Sequence, residues 1–170
     1  MRLRRSNGKL PPGGVGVLAF ASALALLLTA CGGGGGEEKT SGQPIYSVSV
    51  QKFRYSGLPS SLPSGNMTIN FSNRENLPIV HEMILLALPS GQTKDDVISD
   101  AKAKGPDAEE DYTSFGEIGD VDTGATKANV FDLPAGNYVI ACFETGNLGD
   151  PEAKGKAHAA RGMVFEFSVT

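Results

Sequence analysis

The sequence predicts an all-β protein, a two-sheet β-sandwich that carries one short inserted helix. Six segments show strand-like alternation or continuous apolar character, and Gly, Pro, Asn and Ser residues typical of turns separate them. One further segment carries the capping residues of a helix. Many short strands at regular spacing are typical of a sandwich, and residues 44–170 are long enough to bury one hydrophobic core.

The first element in the chain is a secretion leader. Four basic residues and no acidic residue precede the apolar run VGVLAFASALALLL, which is too short for a comfortable membrane span. Thr29 and Ala30 then lead into Cys31, and the ending L-T-A-C resembles a bacterial lipobox. This resemblance implies a diacylglyceryl thioether on Cys31 and cleavage just before it. We therefore predict a lipoprotein signal peptide over residues 1–30; the alternative is an ordinary signal peptide cut nearby.

A tether and an acidic domain follow the leader. Residues 31–43 are predicted to be a lipidated, Gly-rich tether, because GGGGGEEKTSGQ offers nothing to pack. Loss of the leader leaves 11 Lys and Arg against 19 Asp and Glu, a formal charge of −8, which argues against nucleic acid as a partner. We expect residues 44–170 to form a monomeric, extracytoplasmic domain, lipid-anchored to the bacterial cell membrane or outer membrane.

The strands are predicted from their alternation. In chain order they are IYSVSVQKF, SGNMTINFSN, IVHEMILLAL, KANVFDL, NYVIACF and MVFEFSV. The third is apolar on both faces, as expected of a central strand. Four phenylalanines are candidates for the inter-sheet core or its margin: Phe71, Phe143, Phe165 and Phe167.

The helix is expected between the third and fourth of these strands. Thr93 is a suitable N-cap, acidic and basic residues occupy the expected first and last turns, and Gly105 ends the pattern. We expect this helix to lie across one end of a sheet, with a loose acidic loop over residues 106–124 after it. The acidic run 107–111 is predicted to be a solvated face, which could also dock a basic redox partner.

The cysteine count raises a question about chemistry. Cys31 and Cys142 are the two cysteines of the chain, so lipidation of the first leaves no partner for a disulfide. Free thiols oxidise outside the cytosol. Cys142 is therefore expected either to be buried as a small apolar residue or to be used chemically.

Residues with metal-ligand chemistry fall at the ends of predicted elements. Cys142 lies near the end of its strand, and His81 lies near the start of its own. His158 lies in the connection to the last strand, which Met163 opens. Two His and one Cys with a weak axial Met are the ligand set of a blue-copper site.

The domain resembles a cupredoxin of the plastocyanin-like branch. The matching segments are NFSN…PIVHEM, LPAGNYVIACF and HAARGMVFEFSV. The resemblance implies a Greek-key β-sandwich with one mononuclear copper ion and a supporting Asn73 behind the ligands. The ligands that it implies are His81, Cys142, His158 and Met163. It also implies outer-sphere one-electron transfer through a histidine edge, or copper handling, by a carrier that is not an enzyme.

One feature departs from this family. Fifteen residues, 143–157, separate Cys142 from His158, where the family has only a few. This segment, FETGNLGDPEAKGKA, is polar and rich in turn residues, so it could bulge outward and return His158 to its usual place. It could equally free the site from the family geometry. The intact H-x₄-M spacing of residues 158–163 favours the outward bulge.

Other uses of these residues remain open. His81 could be a hydrogen-bonded strand residue, His158 a solvated loop residue, and Met163 a core residue. Zinc would accept the Cys and both His together with a carboxylate such as Glu82 or Glu144. A Cys–His nucleophile would need an orienting group and oxyanion donors, which nothing in the sequence marks. The alternative function is a metal-free cupredoxin-like lipoprotein that serves as a surface binding or structural module.

The lipid anchor can be tested by replacing Cys31. Wild-type protein should partition into detergent and lack residues 1–30, whereas Cys31→Ser should be released from membranes or stall in processing, because serine cannot form the thioether. Mass spectrometry and membrane fractionation measure both effects. A soluble, unmodified wild-type protein with a different N-terminus would contradict the lipoprotein prediction.

Overall fold

The computed structural model describes residues 42–146 and 155–170. The predicted signal peptide, the lipidation site Cys31 and all but the last two residues of the predicted tether lie outside the described residues. Within the described ranges, no helix has the length and apolar character that a membrane span requires.

Nine β-strands make up about half of the described chain. They are β1 (Ile45–Gln51), β2 (Arg54–Ser56), β3 (Ser61–Leu62), β4 (Gly65–Asn73), β5 (His81–Ala87), β6 (Thr113–Val121), β7 (Thr126–Leu133), β8 (Gly136–Ala141) and β9 (Val164–Val169). One sheet has the order β2-β1-β4-β7 and the other the order β3-β9-β8-β5-β6. The pairs β1–β4 and β3–β9 are parallel, and the other pairs are antiparallel. The predicted all-β sandwich with one short helix is confirmed.

The main core lies between the two sheets. Alternate residues of each strand point into it, so that β4 contributes Met67, Ile69 and Phe71, each fully buried. Of the other phenylalanine candidates, Phe167 belongs to this core, and Phe165 packs against it while partly buried.

A second apolar cluster covers the outer face of the β5–β8 sheet. Val97 and Ala101 of helix α1 (Lys94–Lys104) belong to it together with Ile84 of β5. Phe143 is also a member of this outer cluster and not of the inter-sheet core for which it was predicted. The expected position of the helix across a sheet end was therefore wrong. Because the main core lies on one face of β5 and the helix on the other, this strand is apolar on both faces, as its sequence indicated.

The helix begins and ends where its capping residues predicted. The Thr93 side chain accepts a hydrogen bond from the Asp95 amide, and the Asp96 carboxylate accepts one from the Thr93 amide at 2.8 Å. Together these contacts form a capping box. Gly105 closes the helix with a φ of 68°, a left-handed value that favours glycine.

The prediction of a loose loop over residues 106–124 was wrong. A 3₁₀ helix (Gly105–Asp111) and the edge strand β6 occupy most of it. Within β6 only Ile118 and Val121 are buried, and extra residues interrupt its register with β5 near Gly116 and Asp120, both of which have positive φ. These bulges break the period-2 pattern by which a strand is identified from sequence.

The inter-sheet core can be tested at Phe71, which is fully buried. Phe71→Ala should lower the free energy of unfolding by about 3–5 kcal/mol, because it leaves a cavity between the sheets. The control Val130→Thr keeps a β-branched residue at a position that is 55% exposed, so its effect should stay within about 0.5 kcal/mol. Urea unfolding measures both values, and equal losses for the two variants would contradict this description of the core.

Candidate metal centre

Strand pairing brings two of the predicted ligands together. β5 and β8 are antiparallel neighbours in the second sheet, with Ile84 paired to Ala141. The start of β5 therefore lies beside the end of β8. His81 is the first residue of β5, and Cys142 directly follows β8. His158 begins the short 3₁₀ helix His158–Arg161, which precedes β9.

The three side chains converge on one point. His81 Nδ1 lies 3.1 Å from His158 Nδ1, and Cys142 Sγ lies 3.3 Å from His158 Nδ1 and 3.7 Å from His81 Nδ1. A point equidistant from the three atoms lies about 2.0 Å from each, against typical metal bonds of ~2.0–2.1 Å to imidazole and ~2.3 Å to thiolate. All three residues are at most 1% exposed. The donor set thus fits a metal ion in both size and chemistry.

Hydrogen bonding orients the His158 ring. Its Nε2 lies 2.7 Å from the carbonyl oxygen of Gly146. A carbonyl only accepts, so Nε2 carries the proton, and in the neutral ring Nδ1 is left with a lone pair that faces the cluster. Burial lowers the pKa of both His81 and His158 and so favours their neutral forms. In the metal-free protein, a proton on His81 Nδ1 can bridge the gap to His158.

The thiol of Cys142 is held in a dry environment. Its Sγ accepts a hydrogen bond from the Glu82 amide at 3.5 Å. Burial raises the pKa of Cys142 well above its usual value near 9, because the thiolate is poorly solvated there. The metal-free protein therefore keeps the thiol protonated, and a metal ion has to displace that proton to bind sulfur.

The fifteen-residue excursion starts and ends at the site. Thr145 and Ala157 form a β-bridge, and the His158 amide donates to the Glu144 carbonyl at 2.9 Å. The Ala159 amide donates to the Cys142 carbonyl at 2.7 Å. The two ends are therefore held together, and His158 is buried beside Cys142 and is not a solvated loop residue. Residues 147–154 lie outside the described part of the chain.

Asn73 supports the backbone around His81. Its side-chain amide donates to the carbonyl of Ile79 at 2.7 Å and to that of Val121 at 2.9 Å. Val121 is the residue that pairs with His81 in the sheet. Asn73 thus fixes the chain before His81 and the strand beside it, which is how a supporting residue orients a ligand without touching it.

Met163 lies beside the cluster through its backbone. Its carbonyl accepts from the Cys142 amide at 3.4 Å, and its amide donates to the His158 carbonyl at 3.2 Å. The side chain is fully buried in the same core as Cys142. Met163 is therefore a core residue, and its role as an axial ligand remains a prediction.

The carboxylates considered for zinc do not join the cluster. Among the described residues, the group that could hold a metal consists of His81, Cys142 and His158 without a carboxylate oxygen. Glu82 instead accepts a hydrogen bond from the Phe143 amide at 2.7 Å. This leaves the His₂Cys set that suits copper better than a four-coordinate zinc site.

Two residues at the site escaped sequence analysis. The ring of Phe53 packs edge-on against both imidazoles, with centroid distances of 5.3 Å to His81 and 5.0 Å to His158, and the Arg161 guanidinium lies 4.0 Å from its centroid. Glu75 places a carboxylate oxygen 3.5 Å from His81 Nε2. Phe53 lies in the turn between β1 and β2, which lacks the Asn-Gly signature of a tight hairpin, and Glu75 lies in the connection between β4 and β5.

Comparison with solved structures identifies the fold. The chain is similar to the sodium-dithionite-reduced auracyanin of the photosynthetic bacterium Roseiflexus castenholzii, with a TM-score of 0.53 and 17% identity over 76% of this chain and 98% of that one. It is also similar to auracyanin B, with a TM-score of 0.52 and 18% identity over 75% of this chain and 88% of that one. No protein-family model and no curated protein sequence matches the chain. Auracyanins are cupredoxins, and the fold is therefore that of a cupredoxin.

The half-buried Glu82 carboxylate predicts a pH-dependent stability. Burial raises its pKa from 4.5 to about 7, with further contributions from Glu144 and Glu109. A carboxyl whose folded-state pKa lies above its unfolded value stabilises the fold when protonated, and this contribution is lost as the pH rises through the folded pKa. In metal-free protein, Glu82→Gln should therefore become more stable relative to wild type between pH 4.5 and pH 8, by up to roughly 2 kcal/mol after allowance for partial exposure.

Urea unfolding at several pH values in the presence of a chelator measures this effect. Glu110→Gln is the matched control, because its side chain is exposed, and it should change the pH profile much less than Glu82→Gln. A stability difference for Glu82→Gln that stays constant or shrinks with rising pH would contradict the prediction.

Proposed function

From the cupredoxin fold and its buried His₂Cys cluster, we propose that this protein is a membrane-anchored type 1 (blue) copper protein. It carries single electrons or handles copper outside the cytoplasm, held at the membrane by lipid on Cys31. The observation that carries the proposal is the convergence of two imidazole Nδ1 atoms and one sulfur on a single buried point. Copper, when bound, supplies a centre that cycles between Cu(I) and Cu(II) by one electron.

The donor set is matched to copper by its softness and number. Thiolate and imidazole suit both oxidation states of copper, and the site offers them without a hard carboxylate ligand. The Nδ1 atom of His158 is already free of its proton because Nε2 donates to Gly146. His81, Cys142 and His158 would hold the ion, with Met163 as the expected weak axial group.

The surroundings favour little rearrangement of the ligands. Asn73 fixes the backbone before His81, and the Gly146 carbonyl fixes the His158 ring. Buried, hydrogen-bonded side chains have few alternative positions. A site that holds its geometry while its charge changes is suited to electron transfer.

The route of the electron differs from the one that the family resemblance implies. A histidine edge would have to be exposed for direct contact with a partner, yet His81 and His158 are at most 1% exposed. The outer nitrogen of His158 faces the Gly146 carbonyl, and the partly buried Phe53 ring covers both imidazoles. In our proposal an electron therefore passes through protein atoms outside the histidines, either the Phe53 ring or the Gly146 peptide.

The proposal is tested by adding Cu(II) to the metal-free domain. An intense visible charge-transfer band should appear, and Cys142→Ser should abolish it because the colour requires a copper–thiolate bond. His81→Ala and His158→Ala should each weaken copper binding strongly, because each removes one nitrogen ligand. Absorption spectroscopy and metal analysis of the purified protein measure these effects.

Two buried methionines extend this test, with Met83 as the control and Met163 as the expected axial ligand. Met83 lies two residues beyond His81 and is fully buried in the core. Met83→Leu should therefore retain the visible band. Met163→Leu should also retain bound, coloured copper but shift its reduction potential, as expected for an axial ligand. Equal copper uptake by wild type and Cys142→Ser, without a visible band, would overturn the proposal and favour the metal-free binding or structural module.

A further inference from the structure

The Glu75 carboxylate is held against the outer edge of the His81 ring. Its side chain is 8% exposed, and Oε1 lies 3.5 Å from His81 Nε2. The same oxygen accepts a hydrogen bond from the Phe53 amide at 2.8 Å. The Glu75 amide donates to the Asn73 side chain at 3.1 Å. Glu75 is therefore anchored through both its backbone and its carboxylate.

His81 Nε2 is a buried polar atom that lacks a hydrogen bond. Among the described residues no group forms a hydrogen bond with it. A metal ion on Nδ1 requires the proton of the neutral ring to be on Nε2. A buried N–H without an acceptor costs roughly 1–3 kcal/mol. Glu75 Oε1, at 3.5 Å, becomes that acceptor after a small approach.

The turn that contains Phe53, whose amide binds the Glu75 carboxylate, has an unfavourable backbone conformation. Lys52 and Phe53, which join β1 to β2, have φ values of 53° and 58°. Left-handed backbone costs residues other than glycine roughly 1–2 kcal/mol each, so the surrounding contacts must favour this geometry. In this turn the Phe53 amide points to the Glu75 carboxylate and the Phe53 ring covers both histidines.

The two histidines therefore have different partners at their outer nitrogens. Nε2 of His158 faces the neutral carbonyl of Gly146, whereas Nε2 of His81 faces the negatively charged carboxylate of Glu75. A carboxylate that accepts from a ligating imidazole fixes the ring and makes it a stronger donor. Its negative charge also favours the more highly charged state of a nearby ion.

On these grounds we propose that Glu75 is a positioning residue for the copper site, which orients His81 and stabilises Cu(II) relative to Cu(I). This inference rests on the proposed copper function and adds a second determinant of the reduction potential besides the axial position. Removal of the charge should weaken Cu(II) more than Cu(I), so that the potential rises.

The test is Glu75→Gln, which keeps the size of the side chain and removes its charge. Cu(II) affinity should fall roughly 10–100-fold, the usual effect of losing such a partner. If Cu(I) affinity is unchanged, each tenfold loss raises the potential by about 59 mV. Cu(II) and Cu(I) titrations and voltammetry measure these quantities, and thermal unfolding of the metal-free variants monitors the fold.

Two further variants separate a specific contact from general effects. Asp122→Asn removes one negative charge at an exposed position beside Val121, the strand partner of His81, and it should shift the potential much less. Glu75→Asp keeps the charge, so its potential should lie closer to wild type than that of Glu75→Gln. It also provides the readout if Glu75→Gln does not fold.

The outcomes distinguish this inference from the proposed function. A wild-type band combined with an unchanged potential in Glu75→Gln would overturn the role of Glu75 and leave the copper function standing. A Glu75→Asp potential as high as that of Glu75→Gln, or an equal shift in Asp122→Asn, would also overturn it. Absence of the band in wild type would overturn both.

Discussion

The antiparallel pairing of β5 with β8 is the constraint on which the site depends. It joins a strand that begins with His81 to a strand that ends just before Cys142, and it lies in the interior of its sheet. Apolar packing on both faces stabilises this pair, with the inter-sheet core on one side and helix α1 on the other. The helix therefore has a structural role at the site, because it completes the burial of the two strands that position His81 and Cys142.

Around this pair, polar side chains and carbonyls hold the surrounding chain segments in place. Asn73 fastens the segment before His81, Glu82 bonds to the chain that follows Cys142, and Gly146 orients His158. Each of these contacts joins a side chain to a backbone group, so the partner does not depend on a second side chain finding its rotamer. Buried polar groups are costly when unpaired. In the described part of the chain, the buried side-chain nitrogen without a hydrogen bond is His81 Nε2, which faces a carboxylate.

Features with local causes could be predicted from the sequence. The helix ends follow from Thr93 and Gly105, and the burial of β5 follows from its continuous apolar run. The convergence of the ligand residues was expected from a family resemblance and from strand ends, and the structure brings three of them together. Features that depend on contacts between distant segments could not be predicted. The hydrogen bond between Phe53 and Glu75 joins residues that are 22 positions apart in the sequence. In β6, two bulges interrupt the alternation of buried and exposed residues by which a strand is recognised.

The two ends of the fifteen-residue excursion are held together, so the geometry of the metal centre does not depend on the length of the excursion. Thr145 and Ala157 form an antiparallel bridge, and this bridge fixes the distance between the two ends of the segment. Closing a longer loop costs little, since each doubling of its length adds only about 0.6 kcal/mol of entropy. A change in the number of residues after Gly146 should therefore carry a small thermodynamic cost and leave the three ligand residues where they are, because Gly146 keeps its contact with His158.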